Sequence, residues 1–232
     1  MTLILPVVHH LNSELSLTQA RLALEHGADG VFLISHQGLD QAVLQVAARL
    51  RHAWSQPVAA TGELPFVGVN LLQTNNPGAL EMAARLRLDG VWFDSPGVNS
   101  HGATPRTKKL VEDIQRYPDV TVFGSVAFKY QPDEPDPAGA SREALKLGML
   151  PTTSGDATGM APELSKIQSM SAAVKGRLAV ASGMNPENVS AYVPFVSHIL
   201  VATGISHDEH TFDPARLDRF VAAVRTSGSV RA

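Results

Sequence analysis

The sequence predicts a closed (β/α)₈ barrel, an α/β fold of the TIM-barrel type. Short apolar runs alternate with longer amphipathic segments along the whole chain, and the runs start about 20–35 residues apart, the length of one βα unit. Most runs are rich in Val, Ile, Leu and Phe without strict alternation, which is typical of parallel strands covered on both faces. A doubly wound open sheet is the alternative, but the first run ends in Val-Val-His-His-Leu-Asn, without a Gly-x-Gly-x-x-Gly turn.

The strands are predicted from the apolar runs, in chain order. These runs are 3–10, 30–36, 65–72, 90–95, 120–129, 149–154, 178–182 and 198–203. In a barrel of such strands, the carboxyl ends all meet at one face, which is where active sites of this fold lie.

The helices are predicted from the amphipathic segments between the strands. These segments are 17–26, 39–54, 77–88, 106–117, 141–147, 163–174, 186–193 and 214–224. Asp213 before Pro214 is typical of a helix start, and Gly148 and Gly176 follow the fifth and sixth helices as stop signals. The joints at 27–31 and 88–92 are near-copies of each other.

Composition limits the class of protein. The 232 residues, 44% hydrophobic and 18% charged, fit one folded domain, predicted as 1–226, with a small polar tail at 227–232 that frays. The Pro-rich stretch 131–138 is interpreted as a long loop after strand 5. With no cysteine, disulfides, thiolate catalysis and Cys-ligated metals are excluded.

Charge and hydropathy predict the partners and the location. The net charge of −3 gives no global basic field, so no nucleic-acid partner is expected. No apolar run approaches the roughly 20 residues of a membrane helix, and the first residues do not resemble a signal peptide. A cytoplasmic location without a membrane span is therefore expected, and a homo-oligomer remains open.

Polar side chains collect at the predicted carboxyl ends of the strands, which indicates a site. The candidate acid–base residues are Lys129, Asp94, His9, His36 and Asp156. Because consecutive strand residues face opposite sides, only one of His9 and His10 points into the barrel. Each candidate also has a structural alternative: a lysine that reaches out to solvent, an Asx-turn aspartate before Pro-Gly, or a loop histidine.

An anion site is predicted between the loops after strands 7 and 8, because glycine allows close backbone approach and exposed N–H groups attract negative charge. The candidate residues for binding substrate or phosphate are Asn70, Ser154, Gly155, Ser182, Gly183, Thr203, Gly204 and Ser206. The alternative is that the glycines only form turns. No His-x-His or His-Glu-x-x-His spacing occurs, so neither a metal nor another cofactor is predicted, and 207–210 is interpreted as a solvated loop.

Several motifs resemble the BtpA/SgcQ family, which is grouped with the ribulose-phosphate-binding barrels. The matching segments are 6–9, 68–72, 125–129, 154–159, 182–189 and 201–206. The resemblance implies the barrel and phosphate binding, and it associates one branch with photosystem I biogenesis and another with sugar operons. The chain departs from the family pattern at Ser35-His36-Gln37 and at Ile205-Ser206-His207.

Three hypotheses of function follow. The first is an enzyme with isomerase, lyase or glycosyl-transfer chemistry on a small phosphorylated sugar or nucleotide-like metabolite. The second is a non-catalytic assembly factor that retains the anion pocket, with Trp54 and Phe195 as candidate contacts. The third is a metal-dependent hydrolase that uses the histidines.

Overall fold

The computed structural model describes residues 1–58 and 62–228. Within them, eight parallel strands close into a barrel in which each strand pairs with the next along the chain and the last pairs with the first. In chain order, β1 to β8 are Leu3–His9, Gly30–Ile34, Phe66–Asn70, Gly90–Phe93, Thr121–Ser125, Met149–Thr153, Ala179–Ala181 and His198–Val201. The predicted (β/α)₈ barrel is confirmed.

Helices cover the barrel on the outside. In chain order, α1 to α7 are Ser13–Glu25, Asp40–Ala53, Asn76–Arg85, Lys108–Arg116, Pro137–Lys146, Leu164–Ala173 and Pro214–Gly228. The start predicted at Asp213 is present, since its carboxylate accepts from the N–H groups of Ala215 and Arg216. α7 continues to Gly228, and the rest of the predicted tail lies outside the described residues.

The helix predicted at 186–193 is wrong. The chain forms two short 3₁₀ turns there, Val189–Ala191 and Val193–Phe195. The side chain of Asn185 accepts from the N–H groups of Glu187 and Asn188, which gives the backbone a turn in place of a first helical turn. Pro194 then supplies no N–H for a helix to continue.

The fifth strand is shorter than predicted. β5 ends at Ser125, and 126–131 is a loop, so Lys129 lies beyond the strand instead of at its end. Ala127 and Tyr130 have φ of 47° and 64°, in the left-handed region that a strand never uses. The apolar composition of the segment hid this turn, because Val126 and Phe128 are buried as strand residues are.

Aromatic rings fill the amino-terminal half of the barrel. Phe32 meets Phe123 edge to face with the ring centroids 4.9 Å apart, and Trp92 packs edge-on against Phe32. Gly68 makes room for this packing, because a Cβ there would lie 2.4 Å from the ring of Phe32. His198 begins β8 at this end, with its ring against that of Phe123. The barrel interior is therefore filled by side chains at the amino-terminal ends of the strands and opens at their carboxyl ends.

The repeated joints at 27–31 and 88–92 have one structural role. The carboxylate of Asp29 accepts from the N–H of Ile4 at 2.7 Å and pairs with Arg225 at 2.7 Å. Asp89 likewise accepts from the N–H of Val67 at 2.8 Å and pairs with Arg51 at 2.8 Å. Each aspartate thus holds the start of the preceding strand to the helix before that strand in the ring, and for β1 that helix is α7.

Among the described residues, no helix has the length and apolar character to cross a membrane. Trp54 and Phe195, the candidate partner contacts, are partly buried and pack against the core between strands and helices.

Candidate active site

A cavity of about 390 Å³ opens at the carboxyl ends of the strands. It is lined by most of the residues that the sequence singles out: His9, His36, Asp94, Lys129, Ser182, Gly183, Thr203 and Gly204. They come from six segments of the chain far apart in sequence, and the closed barrel brings them to one place.

The walls of the cavity are largely apolar below this polar rim. Val7, Ile34 and Leu200 line it, together with the ring of Trp92. The indole N–H of Trp92 donates to the hydroxyl of buried Ser125 at 2.9 Å, which fixes the ring. A ligand here would meet an apolar surface with a few polar groups above it, the usual character of a small-molecule site.

The two consecutive histidines divide as strand geometry requires. His9 lines the cavity. His10 is buried on the outer side of the barrel, facing α1, with its Nδ1 2.9 Å from the hydroxyl of Ser16. His9 packs edge to face against His36, with the ring centroids 5.1 Å apart and the planes at 88°.

His9 is held in its neutral form at pH 7. Burial, followed by the neighbouring charge of His36, lowers its pKa from 6.5 to about 4, and His210 and Lys129 act in the same direction. His210, which the sequence assigned to a solvated loop, lies against β1, because its ring N–H donates to the carbonyl of His9 at 3.1 Å. The loop prediction is therefore wrong for His210, although 207–209 are exposed.

Asp94 is the carboxylate of the cavity. Burial raises its pKa above the usual 3.8, and a hydrogen bond from the amide of Asn70 at 3.2 Å together with the charge of Lys129 opposes this rise. Asn70 therefore acts on Asp94 instead of lining the cavity itself. No ion pair within 4.0 Å joins Asp94 to Lys129 in the described part of the chain, although each affects the other electrostatically.

Lys129 stands on the loop after β5, where its N–H donates to the hydroxyl of Ser154 at 2.9 Å. Its Nζ donates to the hydroxyl of Thr158 at 3.2 Å, and the phenol oxygen of Tyr130 lies 3.2 Å from the same hydroxyl. The ammonium group thus lies at the cavity mouth between two loops, where it is partly exposed and can meet a ligand.

Gln131 is a residue of this site that sequence reasoning missed. Its Nε2 donates to the carbonyls of Asp94 at 2.6 Å and Ser125 at 3.0 Å, and its Oε1 accepts from the N–H of Phe128 at 3.2 Å. One amide therefore fastens the loop that carries Lys129 to the strand end that carries Asp94. A glutamine at the start of a Pro-rich stretch gives no sequence signal for this role.

Close backbone packing explains the glycines of the predicted anion site. A Cβ on Gly183 would lie 2.2 Å from the backbone of Ala161, and one on Gly155 would lie 2.4 Å from the carbonyl of Met160. A Cβ on Gly204 would lie 2.0 Å from the carbonyl of Met184. The loops after β6, β7 and β8 thus rest directly on one another. A purely structural role is therefore sufficient to explain these glycines.

Backbone donors are nevertheless left free at this rim. Ser182 has a φ of 87°, and its hydroxyl accepts from the N–H of Gly159 at 3.1 Å. Throughout 1–58 and 62–228, no hydrogen bond is made by the N–H groups of Gly183, Met184 or Thr203, all of which line the cavity. Unpaired backbone donors beside a cavity favour an anion.

Besides Asn70, four predicted residues lie outside the cavity. Asp156 and Gly155 face a neighbouring depression of about 320 Å³ on the other side of Lys129. Ser154 is buried, and its hydroxyl donates to the carbonyl of Gly155, while the hydroxyl of Ser206 donates to the carbonyl of Ala202. The loops turn these groups into the protein or away from the cavity, and their role in ligand binding stays a prediction.

In the ranges 1–58 and 62–228, no three His, Asp or Glu side chains are grouped so as to hold a metal ion.

Solved structures match the chain over nearly its whole length. A phosphoribosyl anthranilate isomerase from Thermus thermophilus has a TM-score of 0.66 and 15% identity, covering 97% of this chain and 99% of that chain. A structure described as native KDPGal has a TM-score of 0.67 and 13% identity, covering 97% and 96%. A phosphoribosyl anthranilate isomerase in complex with reduced 1-(o-carboxyphenylamino)-1-deoxyribulose 5-phosphate has a TM-score of 0.64 and 14% identity, covering 97% and 100%.

These structural matches, at 13–15% identity, show a shared (β/α)₈ fold. No protein-family model matches the sequence, and no curated protein does.

Proposed function

We propose that the protein is an enzyme that acts on a small phosphorylated sugar or nucleotide-like metabolite by acid–base chemistry. The observation that carries this proposal is one cavity in which Asp94, Lys129 and His9 meet unpaired backbone N–H groups of the loops after β7 and β8. The phosphate would lie on the N–H groups of Gly183, Met184 and Thr203, the position that barrels commonly use for it.

Each side chain has a state suited to proton transfer. Asp94, with its raised pKa, is a better proton donor than an exposed aspartate, and neutral His9 is able to accept a proton. Lys129 would stabilise negative charge that develops on a substrate oxygen. Isomerase, lyase and glycosyl-transfer steps all use such a set of groups. The proposal places the protein among the ribulose-phosphate-binding barrels, which include the BtpA/SgcQ group, and in the cytoplasm.

A thermal-shift series tests the binding half of the proposal. Ribose 5-phosphate and inorganic phosphate should raise the melting temperature, whereas ribose should not. A ligand at 100 times its Kd adds about 2.7 kcal/mol, or roughly 5–10 °C for a chain of this size. Lys129→Met should weaken binding about tenfold or more, and Lys146→Met, which removes an exposed lysine paired with Glu143, should not. No shift with either phosphate would end the proposal.

Solvent exchange tests the catalytic half. Incubation of aldose and ketose phosphates in D₂O should place deuterium on a carbon of the true substrate, as followed by proton NMR. Asp94→Asn should abolish this exchange while phosphate binding persists. Binding without exchange across the panel would remove the isomerase branch.

The second hypothesis, a BtpA-like assembly factor, is favoured by one feature only. A shallow depression of about 290 Å³ between α2 and α3 is lined by Leu44, Met82 and Leu86, of which Met82 is exposed. If this alternative holds, Lys129→Met and Asp94→Asn leave cellular function intact and Met82→Glu removes it.

A further inference from the structure

His9 lies among ionisable groups carried by several loops around it. His36 faces it from the loop after β2, Lys129 from the loop after β5, and Glu209 and His210 from the loop after β8. Asp94, after β4, lines the same cavity. Three of these groups repel a positive charge on His9, and Glu209, which attracts it, is exposed to solvent.

The ring of His9 also has an unused nitrogen. Its Nδ1 is buried and has no hydrogen-bond partner in 1–58 and 62–228. An unpaired polar atom in a buried position is costly. Because this nitrogen is not accessible from the cavity, a ligand there would act on the ring through its charge.

The free backbone donors lie on the neighbouring strand ends. β1 pairs directly with β8, which places His9 beside the loop of Thr203 and Gly204 within one cavity. An anion held by those N–H groups would therefore supply the negative charge that His9 lacks.

We propose that binding of a dianion in this cavity is coupled to the uptake of one proton by His9, which thereby becomes the positively charged partner of the bound oxyanion. The proton comes from solvent and returns to it when the anion leaves. The inference rests on the proposed anion site and adds regulation of that site by pH.

Thermodynamic linkage gives the size of the effect. With the cavity empty, burial and then the like charges hold the pKa of His9 at about 4, so the ring is neutral near pH 7. A dianion nearby raises this pKa. Because coupling between proton and anion is reciprocal, anion affinity increases as pH falls, by up to about tenfold per pH unit between the pKa of the complex and the pKa of the empty protein.

Isothermal titration with sulfate between pH 5 and 8 tests the coupling. Sulfate is the suitable probe because it stays a dianion over this range, whereas a phosphate ester titrates itself near pH 6. Repeating each titration in two buffers of different ionisation enthalpy gives the number of protons taken up. For the wild-type protein, we expect tighter binding at lower pH and an uptake that approaches one proton.

His9→Gln should bind sulfate with an affinity that changes little with pH and with little proton uptake. His198→Gln is the matched control, because burial also lowers the pKa of His198 to about 4 but this residue does not line the cavity. Its coupling should equal that of the wild type.

The failures are distinguishable. Sulfate binding whose affinity is independent of pH overturns the coupling and leaves the anion site standing. Unchanged coupling in His9→Gln overturns the assignment to His9. No sulfate binding at any pH overturns the anion site and the coupling with it.

Discussion

Replacing Asp29 by asparagine should cost far more stability than the same change at Asp89, although the two residues have the same partners in kind. Both accept from the N–H of the preceding strand and pair with an arginine of an outer helix. The side chain of Asp29 is 2% exposed, whereas that of Asp89 is 37% exposed. Water therefore already solvates the carboxylate of Asp89 in part, whereas the carboxylate of Asp29 depends on its protein partners.

The magnitude follows from this difference in burial. Asparagine keeps an acceptor for the strand N–H but removes the buried carboxylate charge that pairs with Arg225. Breaking a buried pair in this way costs about 3–5 kcal/mol, whereas a partly exposed pair contributes about 1 kcal/mol. For a chain of this length, each kcal/mol shifts the melting temperature by about 2–4 °C. We expect losses of roughly 6–20 °C for Asp29→Asn and of roughly 2–4 °C for Asp89→Asn.

Circular dichroism at 222 nm during heating, with urea unfolding as a second measure, provides the assay. Equal losses for the two variants would refute the reasoning, because burial would then not decide the cost. A larger loss for Asp89→Asn would reverse it.

Three further outcomes are expected. Burial lowers the pKa of His198 from 6.5 to about 4, so folding disfavours its charged form. The free energy of unfolding is therefore at its full value above about pH 6.5 and decreases toward pH 4 by up to about 3 kcal/mol. Urea unfolding at several pH values should show a smaller decrease for His198→Gln. Gly183→Ala should unfold at a lower temperature than Gly159→Ala, because both glycines have positive φ but only a Cβ at Gly183 meets another loop; equal melting temperatures would contradict this. Lys129→Met should raise the pKa of Asp94, because a nearby positive charge that lowers it is removed; carbon-13 NMR of the Asp94 carboxyl would show no change if the two groups do not interact.

The sequence predicts the barrel well because its signals are local and repeated. Every apolar run contains a strand, and strand parity correctly predicts that His9 and His10 face opposite sides. The predicted fold fails where side chains compete with the backbone, as Asn185 does at the start of the missing helix.

The site is less predictable because loops decide it. The turn at 126–131 depends on a long-range contact of Gln131 with the backbone of Asp94, which no local pattern encodes. Asp156 likewise follows a strand end as Asp94 does, yet its loop turns it into the neighbouring depression. Residues in loops are placed by contacts between distant segments, and a single sequence does not show these.

The glycine contacts among the loops after β6, β7 and β8 make one part of the barrel rim more tightly packed than the rest. Because the three backbones touch, they leave no room for insertions or larger side chains at the contacts. We therefore expect this part of the rim to be rigid and to tolerate few substitutions. In the described residues, the loops after β2, β4 and β5, which carry His36, Asp94 and Lys129, contain no glycine whose Cβ would meet the backbone of another loop. Variants of this protein that acquire a new substrate should therefore carry their substitutions in those loops first and conserve the packed loops after β6, β7 and β8.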